Sequence, residues 1–149
     1  RIRSAFIRTC SPEHVQDAVT NGVYISYNRA DELFALELNT ELRQANVNVW
    51  LDAIDVNPDE DWEYAVSNAL NRSGVMILVL SRQAMDDEQL QQEATTFLEL
   101  GKIVIPVVSE RCDTSSLNLI MQPIDFAENF DMGLQLLLNR LVGQHSVRA

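Results

Sequence analysis

The chain has 149 residues, 46% of them hydrophobic and 22% charged, so we expect one globular domain with a sizeable core. Its formal net charge of −11 at pH 7 argues against nucleic-acid binding through a general basic surface. The longest apolar run is far short of a membrane span, and no secretory leader is visible. The first residue is Arg1 rather than Met, so we expect the chain to be a domain cut from a longer protein.

Cysteine and histidine are too rare and too scattered to define a site. Cys10 and Cys112 are too few for a disulfide framework, which indicates a reducing, cytoplasmic compartment. His14 and His145 lie near opposite ends of the chain, and there is no CxxC pair, so we expect no metal site. Glycine-rich phosphate loops and the GxSxG nucleophile motif are also absent from the sequence.

Residues 1–21 are predicted to form an N-terminal arm or linker helix. Ser11 can cap this helix, Pro12 suits its first position, and Asn21 with Gly22 ends it. We place the main domain at residues 22–143 and a polar tail at residues 144–149.

A first strand and a helix open the main domain. The strand covers residues 23–27, which are rich in β-branched and aromatic side chains. Asn28 or Asp31 is expected to cap the helix that follows. Four apolar residues form the inner face of this helix: Phe34, Leu38, Leu42 and Ala45.

The next unit joins a strand to a helix through an acidic loop. Residues 47–51 predict the strand, and residues 52–61 the loop, with a turn at residues 57–59. The acidic side chains of this loop are interpreted as solvated. Apolar residues then recur at helical spacing from Trp62 onward, and we assign Trp62 itself to the core.

The most apolar stretch, residues 74–81, predicts a strand that is buried on both faces. The next helix begins within residues 88–93. Its apolar stripe consists of Leu90, Ala94, Phe97 and Leu98. Gly101 ends this helix, and Lys102 near its C-terminus suits the helix dipole.

The last third of the chain predicts two strands and a helix. Residues 103–108 form a strand in which Pro106 indicates an edge or an irregular position, because proline cannot donate to a ladder. We expect a short helix around residues 116–120 and a short strand at residues 123–126. Four leucines mark the final helix: Leu134, Leu137, Leu138 and Leu141.

Strands alternate with helices about five times, which predicts an α/β fold with a parallel sheet and helices on both faces. Four strand residues are expected in its core: Ile25, Val49, Leu78 and Ile105. Ligands bind such sheets at the edge where the carboxyl ends of the strands meet. Polar groups follow three strands at this edge: Ser26, Tyr27 and Arg29, then Asp52, then Ser81 to Glu93.

Glu93 lies at the margin of an apolar helix stripe, where burial of an unpaired carboxylate would be costly. Two interpretations follow from geometry alone. Either its side chain reaches solvent at the edge of the stripe, or it lines a cleft at the carboxyl end of the strand. Carboxylates in such a cleft could stabilise an oxocarbenium-like centre or position sugar hydroxyls.

An ordered set of short segments resembles the Toll/interleukin-1 receptor (TIR) domain family. Residues 23–27 resemble its FISY opening, residues 49–52 its VWxD signature, and residues 58–62 its proline-containing loop that runs into a Trp. Residues 69–81 resemble its AL..S and I.VLS segments, and residues 102–106 its fourth strand. Glu93 matches the glutamate that follows the third strand in this family. The resemblance covers roughly residues 22–142.

The resemblance implies a flavodoxin-like three-layer fold with strand order 2-1-3-4-5. Many bacterial, plant and some animal members cleave NAD at the nicotinamide–ribose bond, so NAD is a substrate and no separate cofactor is implied. The compact, acidic chain resembles bacterial members, which are often effectors of anti-phage defence. Self-association and a fused or separate sensor domain are the partners implied, with no nucleic acid or membrane.

The resemblance also implies roles for individual residues. Glu93 would hold the ribose hydroxyls and stabilise positive charge as nicotinamide leaves. Arg29 would face the diphosphate, although it could instead form a surface ion pair with Asp31 or Glu32. The other substrate-binding candidates are Ser26, Tyr27, Asp52, Trp62, Ser81 and Gln89. For the two serines we expect helix capping as the main role.

The sequence departs from the family pattern at three positions. Gln89 stands where an aromatic residue is frequent, Leu90 where Cys is frequent, and Asp59 where Gly usually follows the loop proline. Two other functions therefore stand beside NAD cleavage. One is a non-catalytic TIR module that signals by homotypic assembly, and the other is a nucleotide-processing or nucleotide-sensing domain that uses the same cleft.

Overall fold

The computed structural model describes residues 12–117 and 122–142. Its five strands are β1 (Val23–Ser26), β2 (Val49–Trp50), β3 (Val75–Leu80), β4 (Ile103–Val108) and β5 (Ile124–Asp125). All neighbouring strands are parallel, and their order is β2-β1-β3-β4-β5. This arrangement confirms the predicted sheet and its strand order.

Seven α-helices surround the sheet within the described residues. They are α1 (Pro12–Val19), α2 (Glu32–Gln44), α3 (Asp52–Asp55), α4 (Trp62–Arg72), α5 (Arg82–Met85), α6 (Glu88–Glu99) and α7 (Phe130–Val142). A 3-10 turn at Arg29–Asp31 leads into α2, and Asn28 caps this turn by accepting from the Ala30 amide.

Two short helices, α3 and α5, differ from the predicted elements. The first turn of the expected acidic loop is helical, because the amides of Ile54 and Asp55 donate to the Leu51 carbonyl. Ser81 begins α5 by accepting from the Ala84 amide. The expected cap Ser11, the helix around residues 116–120 and the tail at residues 144–149 lie wholly or partly outside the described residues.

Two separate cores pack against the two faces of the sheet. One face is covered by α1, α2 and α7 and is lined by aliphatic residues such as Val23, Val75 and Ile103. The other is covered by α4, α5 and α6 and contains Met76 and Phe97. The four residues predicted in the core are all buried: Ile25, Val49, Leu78 and Ile105.

Helix α1 is part of the packed domain. Val15 is buried in the aliphatic core, beside helix α7. The backbone of α1 also touches the start of β3, where a Cβ added to Gly74 would lie 2.3 Å from the Ala18 carbonyl oxygen. A glycine is therefore required at residue 74 by this close approach.

Of the two positions predicted for Pro106, an edge strand or an irregular position, the edge strand is wrong, because β4 lies between β3 and β5. The Val108 carbonyl accepts from the Phe126 amide, so the main-chain polar groups of Val108 face β5. By strand alternation, the main chain of Pro106 faces the same side. Strand β5 begins opposite Val107, so no residue of β5 pairs with Pro106. The N–H that Pro106 lacks is therefore not needed for this ladder.

Lys102 also has a different role from the expected one. Its Nζ donates to the carbonyls of Leu70 at 3.0 Å and Asn71 at 2.6 Å, in the last turn of α4. The same ammonium lies 5.0 Å from the centroid of the Phe97 ring. Lys102 therefore caps the neighbouring helix α4 rather than serving only its own helix α6.

Candidate active site

A cleft of about 620 Å³ opens at the carboxyl end of β1. It lies between the segment after β1, helix α3 with its following loop, and the first half of α6. We name it the cleft and define it by six of its lining residues: Tyr24, Ser26, Tyr27, Arg29, Asp52 and Glu93. The sheet topology thus brings the predicted groups after β1, β2 and β3 to one place.

Glu93 lines the cleft, which favours the cleft interpretation over the solvent-edge one. Helix α6 begins where Asp87 accepts from the Leu90 amide, and Glu93 follows on the same helix. The Ser26 hydroxyl donates to Glu93 Oε1 at 3.2 Å. Burial raises the pKa of Glu93, the Ser26 hydrogen bond opposes this rise, and the Asp87 and Asp52 carboxylates add to it. A half-buried carboxyl with a raised pKa in a cleft is a functional-site candidate.

Asp52 lines the same cleft as Glu93 and is held by Tyr27. The Tyr27 hydroxyl donates to Asp52 Oδ1 at 2.6 Å. Burial, together with this bond to Asp52, raises the pKa of Tyr27, so its phenol stays protonated at neutral pH. The pair fixes one carboxylate oxygen of Asp52 and leaves the carboxylate as an acceptor for a ligand.

Arg29 and Gln89 are exposed and border the cleft. Within the described residues Arg29 does not form the surface ion pair with Asp31 or Glu32 that was its alternative. Arg29 is the one cation in the described lining, which carries five carboxylates: Glu32, Asp52, Glu60, Asp87 and Glu93. The cleft is therefore strongly acidic, with a single positive group at the segment after β1.

The assignment of Trp62 to the core is wrong, because its side chain is 45% exposed and borders the cleft. Trp62 is the first residue of α4, and the buried positions of this helix are Ala65, Val66 and Ala69. The helical spacing was correct, but the first turn of α4 is exposed, and its burial begins at Ala65. Trp62 thus remains a candidate for packing against a ligand.

The two serine candidates, for which helix capping was expected as the main role, have different roles in the structure. Ser26 was expected to cap a helix, but its hydroxyl donates to Glu93 in the cleft. Ser81 is fully buried, caps α5 and donates to Asp31 Oδ2, and it does not line the cleft. Asp31 Oδ1 also accepts from the Ser109 hydroxyl at 3.3 Å. The structure therefore gives Ser81 a structural position away from the cleft.

The acidic loop is less solvated than predicted at Asp55. Its Oδ2 accepts from Arg43 Nη2 and from the Leu51 amide, each at 2.7 Å. Asp61 caps α4 by accepting from the Glu63 amide at 3.1 Å. Asp59 is exposed as expected. The predicted turn at residues 57–59 is present, with the Glu60 amide donating to the Asn57 carbonyl.

Tyr24 is a lining residue that the sequence reasoning missed. It lies on β1 two residues before Ser26, so both side chains point to the same face of the sheet. This two-residue period was available in the sequence as a signal. Tyr24 is 5% exposed and borders the cleft beside Ser26 and Glu93.

Within the described residues, no group of three or more His, Cys, Asp or Glu side chains is arranged to hold a metal ion. In the same part of the chain, no helix combines the length and the apolar character needed to span a bilayer.

Comparison with known proteins identifies the class to which this fold and cleft belong. A family model described as the TIR domain matches residues 23–138, and the chain belongs to this family. It is 28% identical over 126 residues to uncharacterized protein y4cD of Sinorhizobium fredii (strain NBRC 101917 / NGR234). The match covers 80% of this chain but only 20% of that protein, so the chain corresponds to about a fifth of its relative.

Two solved structures share the fold at low sequence identity. The TIR domain of the Toll-related receptor TRR-2 from Hydra magnipapillata superposes with a TM-score of 0.66 at 19% identity, covering 82% of this chain and 98% of that one. The TIR domains of the activated Roq1 resistosome, which directly recognises the pathogen effector XopQ, superpose with a TM-score of 0.63 at 15% identity. That match covers 79% of this chain and 97% of the other.

Proposed function

We propose that this TIR domain cleaves the nicotinamide–ribose bond of NAD, with Glu93 as its catalytic residue. The observation that carries the proposal is the Glu93 carboxylate, half-buried in the cleft, oriented by Ser26 and near Asp52. The products are nicotinamide and either ADP-ribose or a cyclic ADP-ribose. Membership of the TIR family supports the proposal, since the family includes enzymes of this type.

One oriented carboxylate is sufficient for this reaction. When the C–N bond breaks, its electron pair moves to the ring nitrogen, and nicotinamide leaves as a neutral molecule. No strong general acid is needed for this departure. The ribose ring is left with oxocarbenium character, which the Glu93 carboxylate stabilises until water or an adenine nitrogen attacks the anomeric carbon.

The acidic charge of the cleft favours binding of the cationic end of NAD, which is its nicotinamide ring. Glu93, Asp52 and three further carboxylates surround the space in which a pyridinium ring would bind. Arg29 lies at the segment after β1 and is available for the diphosphate, which the carboxylates would otherwise repel. Tyr27 and Trp62 supply aromatic surface, and Gln89 an amide, along the same cleft.

Self-association through TIR–TIR contacts belongs to the same proposal. Several large apolar side chains are exposed outside the cleft, among them Leu33, Ile54 and Met132. These side chains also favour the second candidate function, a non-catalytic module that signals by assembly. A fused or separate sensor domain would bring copies together, and we assign this signalling or defence function to the cytoplasm.

The test is release of nicotinamide from NAD by the purified domain, measured over a hundredfold range of protein concentration. We expect Glu93→Gln to lower the rate by about 100-fold or more, because it removes the charge that faces the oxocarbenium centre. Glu99→Gln is the matched control, since Glu99 is an exposed glutamate on the same helix outside the cleft. We expect this control to retain the wild-type rate.

The possible results separate the candidate functions. Near wild-type turnover by a folded Glu93→Gln variant would remove Glu93 from the mechanism. No nicotinamide release at any protein concentration, together with self-association, would favour the non-catalytic module. Binding of NAD without cleavage would favour nucleotide sensing.

A further inference from the structure

The hydroxyl of Tyr24 is a polar group of the cleft that the proposed chemistry leaves unused. Tyr24 is only 5% exposed, and its ring stacks on the Trp50 ring with the two centroids 5.3 Å apart. Its hydroxyl nevertheless forms no hydrogen bond within the described residues. The residue borders the cleft, and its oxygen is not sealed from it. Buried tyrosine hydroxyls usually have a partner, so this one requires an explanation.

Three residues with a hydroxyl line the cleft within the described residues, and two of them already donate to a carboxylate. Ser26 donates to Glu93, and Tyr27 donates to Asp52. The third hydroxyl belongs to Tyr24. Burial, together with the Glu93 and Asp52 carboxylates, raises the pKa of Tyr24, so its phenol keeps its proton at neutral pH. Tyr24 therefore has a proton to donate to a molecule that enters the cleft.

The fold does not need this hydroxyl. Tyr24 packs through its ring, which stacks on Trp50 and contacts the core under α4 and α6. In the FISY signature that β1 resembles, the residue before Ile is Phe, which keeps the ring and lacks the hydroxyl. Within the described residues the hydroxyl therefore adds no hydrogen bond to the fold, and the cleft is the place where it can find a partner.

We propose that the Tyr24 hydroxyl binds the sugar of the ligand, donating a hydrogen bond to a ribose hydroxyl oxygen held between Glu93 and Asp52. This step rests on the proposed function for the identity of the sugar. Each ribose hydroxyl has a proton to donate and lone pairs to fill. The carboxylates accept hydrogen bonds from the ribose hydroxyls, and the Tyr24 hydroxyl donates to a lone pair of a ribose hydroxyl oxygen. Tyr24 thereby makes the cleft selective for a sugar that carries hydroxyl groups at this position.

The test compares Tyr24→Phe with wild type and with Tyr64→Phe, which removes a hydroxyl from a tyrosine that is 67% exposed and outside the cleft. Melting temperature, kcat/KM for NAD and the affinity for ADP-ribose by calorimetry are measured for each protein. For Tyr24→Phe we expect an equal or higher melting temperature. Its kcat/KM and its ADP-ribose affinity should each fall by roughly 10- to 100-fold. Tyr64→Phe should match wild type in all three measurements.

Unchanged kcat/KM and unchanged ADP-ribose affinity in Tyr24→Phe would overturn this inference and leave the proposed function standing. A lower melting temperature would also overturn it, because the hydroxyl would then support the fold. A wild type that binds ADP-ribose but does not cleave NAD would contradict the proposed function alone, and the affinity of Tyr24→Phe would still decide this inference. A wild type that neither binds nor cleaves would overturn both.

Discussion

Two carboxylate–serine clusters lie at the same edge of the sheet and have different surroundings. At the end of β1, Glu93 accepts from one serine, Ser26, and borders an open cleft. At the ends of β3 and β4, Asp31 accepts from Ser81 and Ser109, and neither Asp31 nor these serines border the cleft. The same side-chain chemistry thus joins secondary-structure elements in one cluster and remains available to a ligand in the other. Residue type alone does not distinguish these two uses, whereas the position of the strand in the sheet does.

The largest expected difference between the clusters is in stability. Asp31→Ala removes the acceptor of the buried Ser81 hydroxyl, so we expect a loss of about 1–3 kcal/mol in the free energy of unfolding. Ser109 is less affected, since its hydroxyl also contacts the Leu80 carbonyl. Urea denaturation measures the change, and Asp59→Ala, at an exposed position, is the control. A wild-type unfolding midpoint for Asp31→Ala would mean that this cluster does not hold the fold together.

A smaller effect is expected on catalysis from Ser26→Ala. The variant loses one hydrogen bond to Glu93, which is worth about 0.5–1.5 kcal/mol, or about 2- to 10-fold in rate near neutral pH. This bond opposes the rise in the pKa of Glu93, so its loss raises that pKa further. Since the reaction needs the ionised carboxylate, the loss of activity should grow as the pH falls. The measurement is a pH–rate profile, with Ser67→Ala, on the exposed side of α4, as control. A uniform loss at every pH would argue that Ser26 does not act through the ionisation of Glu93.

The smallest effect is a pH-dependent gain in stability from Glu93→Gln. Because the folded protein raises the pKa of Glu93, folding favours its protonated form. The penalty for the ionised form is therefore fully present above the folded-state pKa and disappears as the pH falls below the ordinary value of 4.5. Glu93→Gln should melt at a slightly higher temperature than wild type at pH 8 and at the same temperature at pH 4. An equal difference at both pH values would show that the gain does not come from the carboxylate charge.

The comparison also shows which features the sequence could predict. The buried strands and the parallel sheet were predictable, because apolar stretches such as residues 75–80 and their alternation with helices carry that information. The strand order was implied by the resemblance to the TIR family. The convergence of Glu93, Tyr27 and Asp52 followed from the rule that parallel strands present their carboxyl ends at one edge. The roles of Ser26 and Ser81 could not be predicted from the sequence. Both serines lie at the carboxyl ends of strands, and they differ only in the side chains that surround them in the fold.

The errors at Trp62 and Tyr24 have a common cause. Helical spacing placed Trp62 on the inner face of α4, but spacing does not show whether the first turn of a helix is covered by neighbouring elements. Tyr24 was not among the predicted site residues, and its ring packs in the core. Whether its hydroxyl reaches the cleft depends on how deep the cleft is. That depth is set jointly by the segment after β1, helix α3 and helix α6. Such tertiary distances cannot be obtained from the periodicity of a single element.

The contact between Gly74 and α1 changes where the folding unit begins. The family match starts at residue 23, after α1, whose residue Val15 is buried in the aliphatic core. A truncation at residue 22 would remove Val15 and uncover the backbone of Gly74, against which Ala18 packs. The autonomous unit therefore includes the helix from Pro12 onward. Through Ala18, that helix packs beside the start of β3, at the amino end of the strands, whereas the cleft lies at their carboxyl ends.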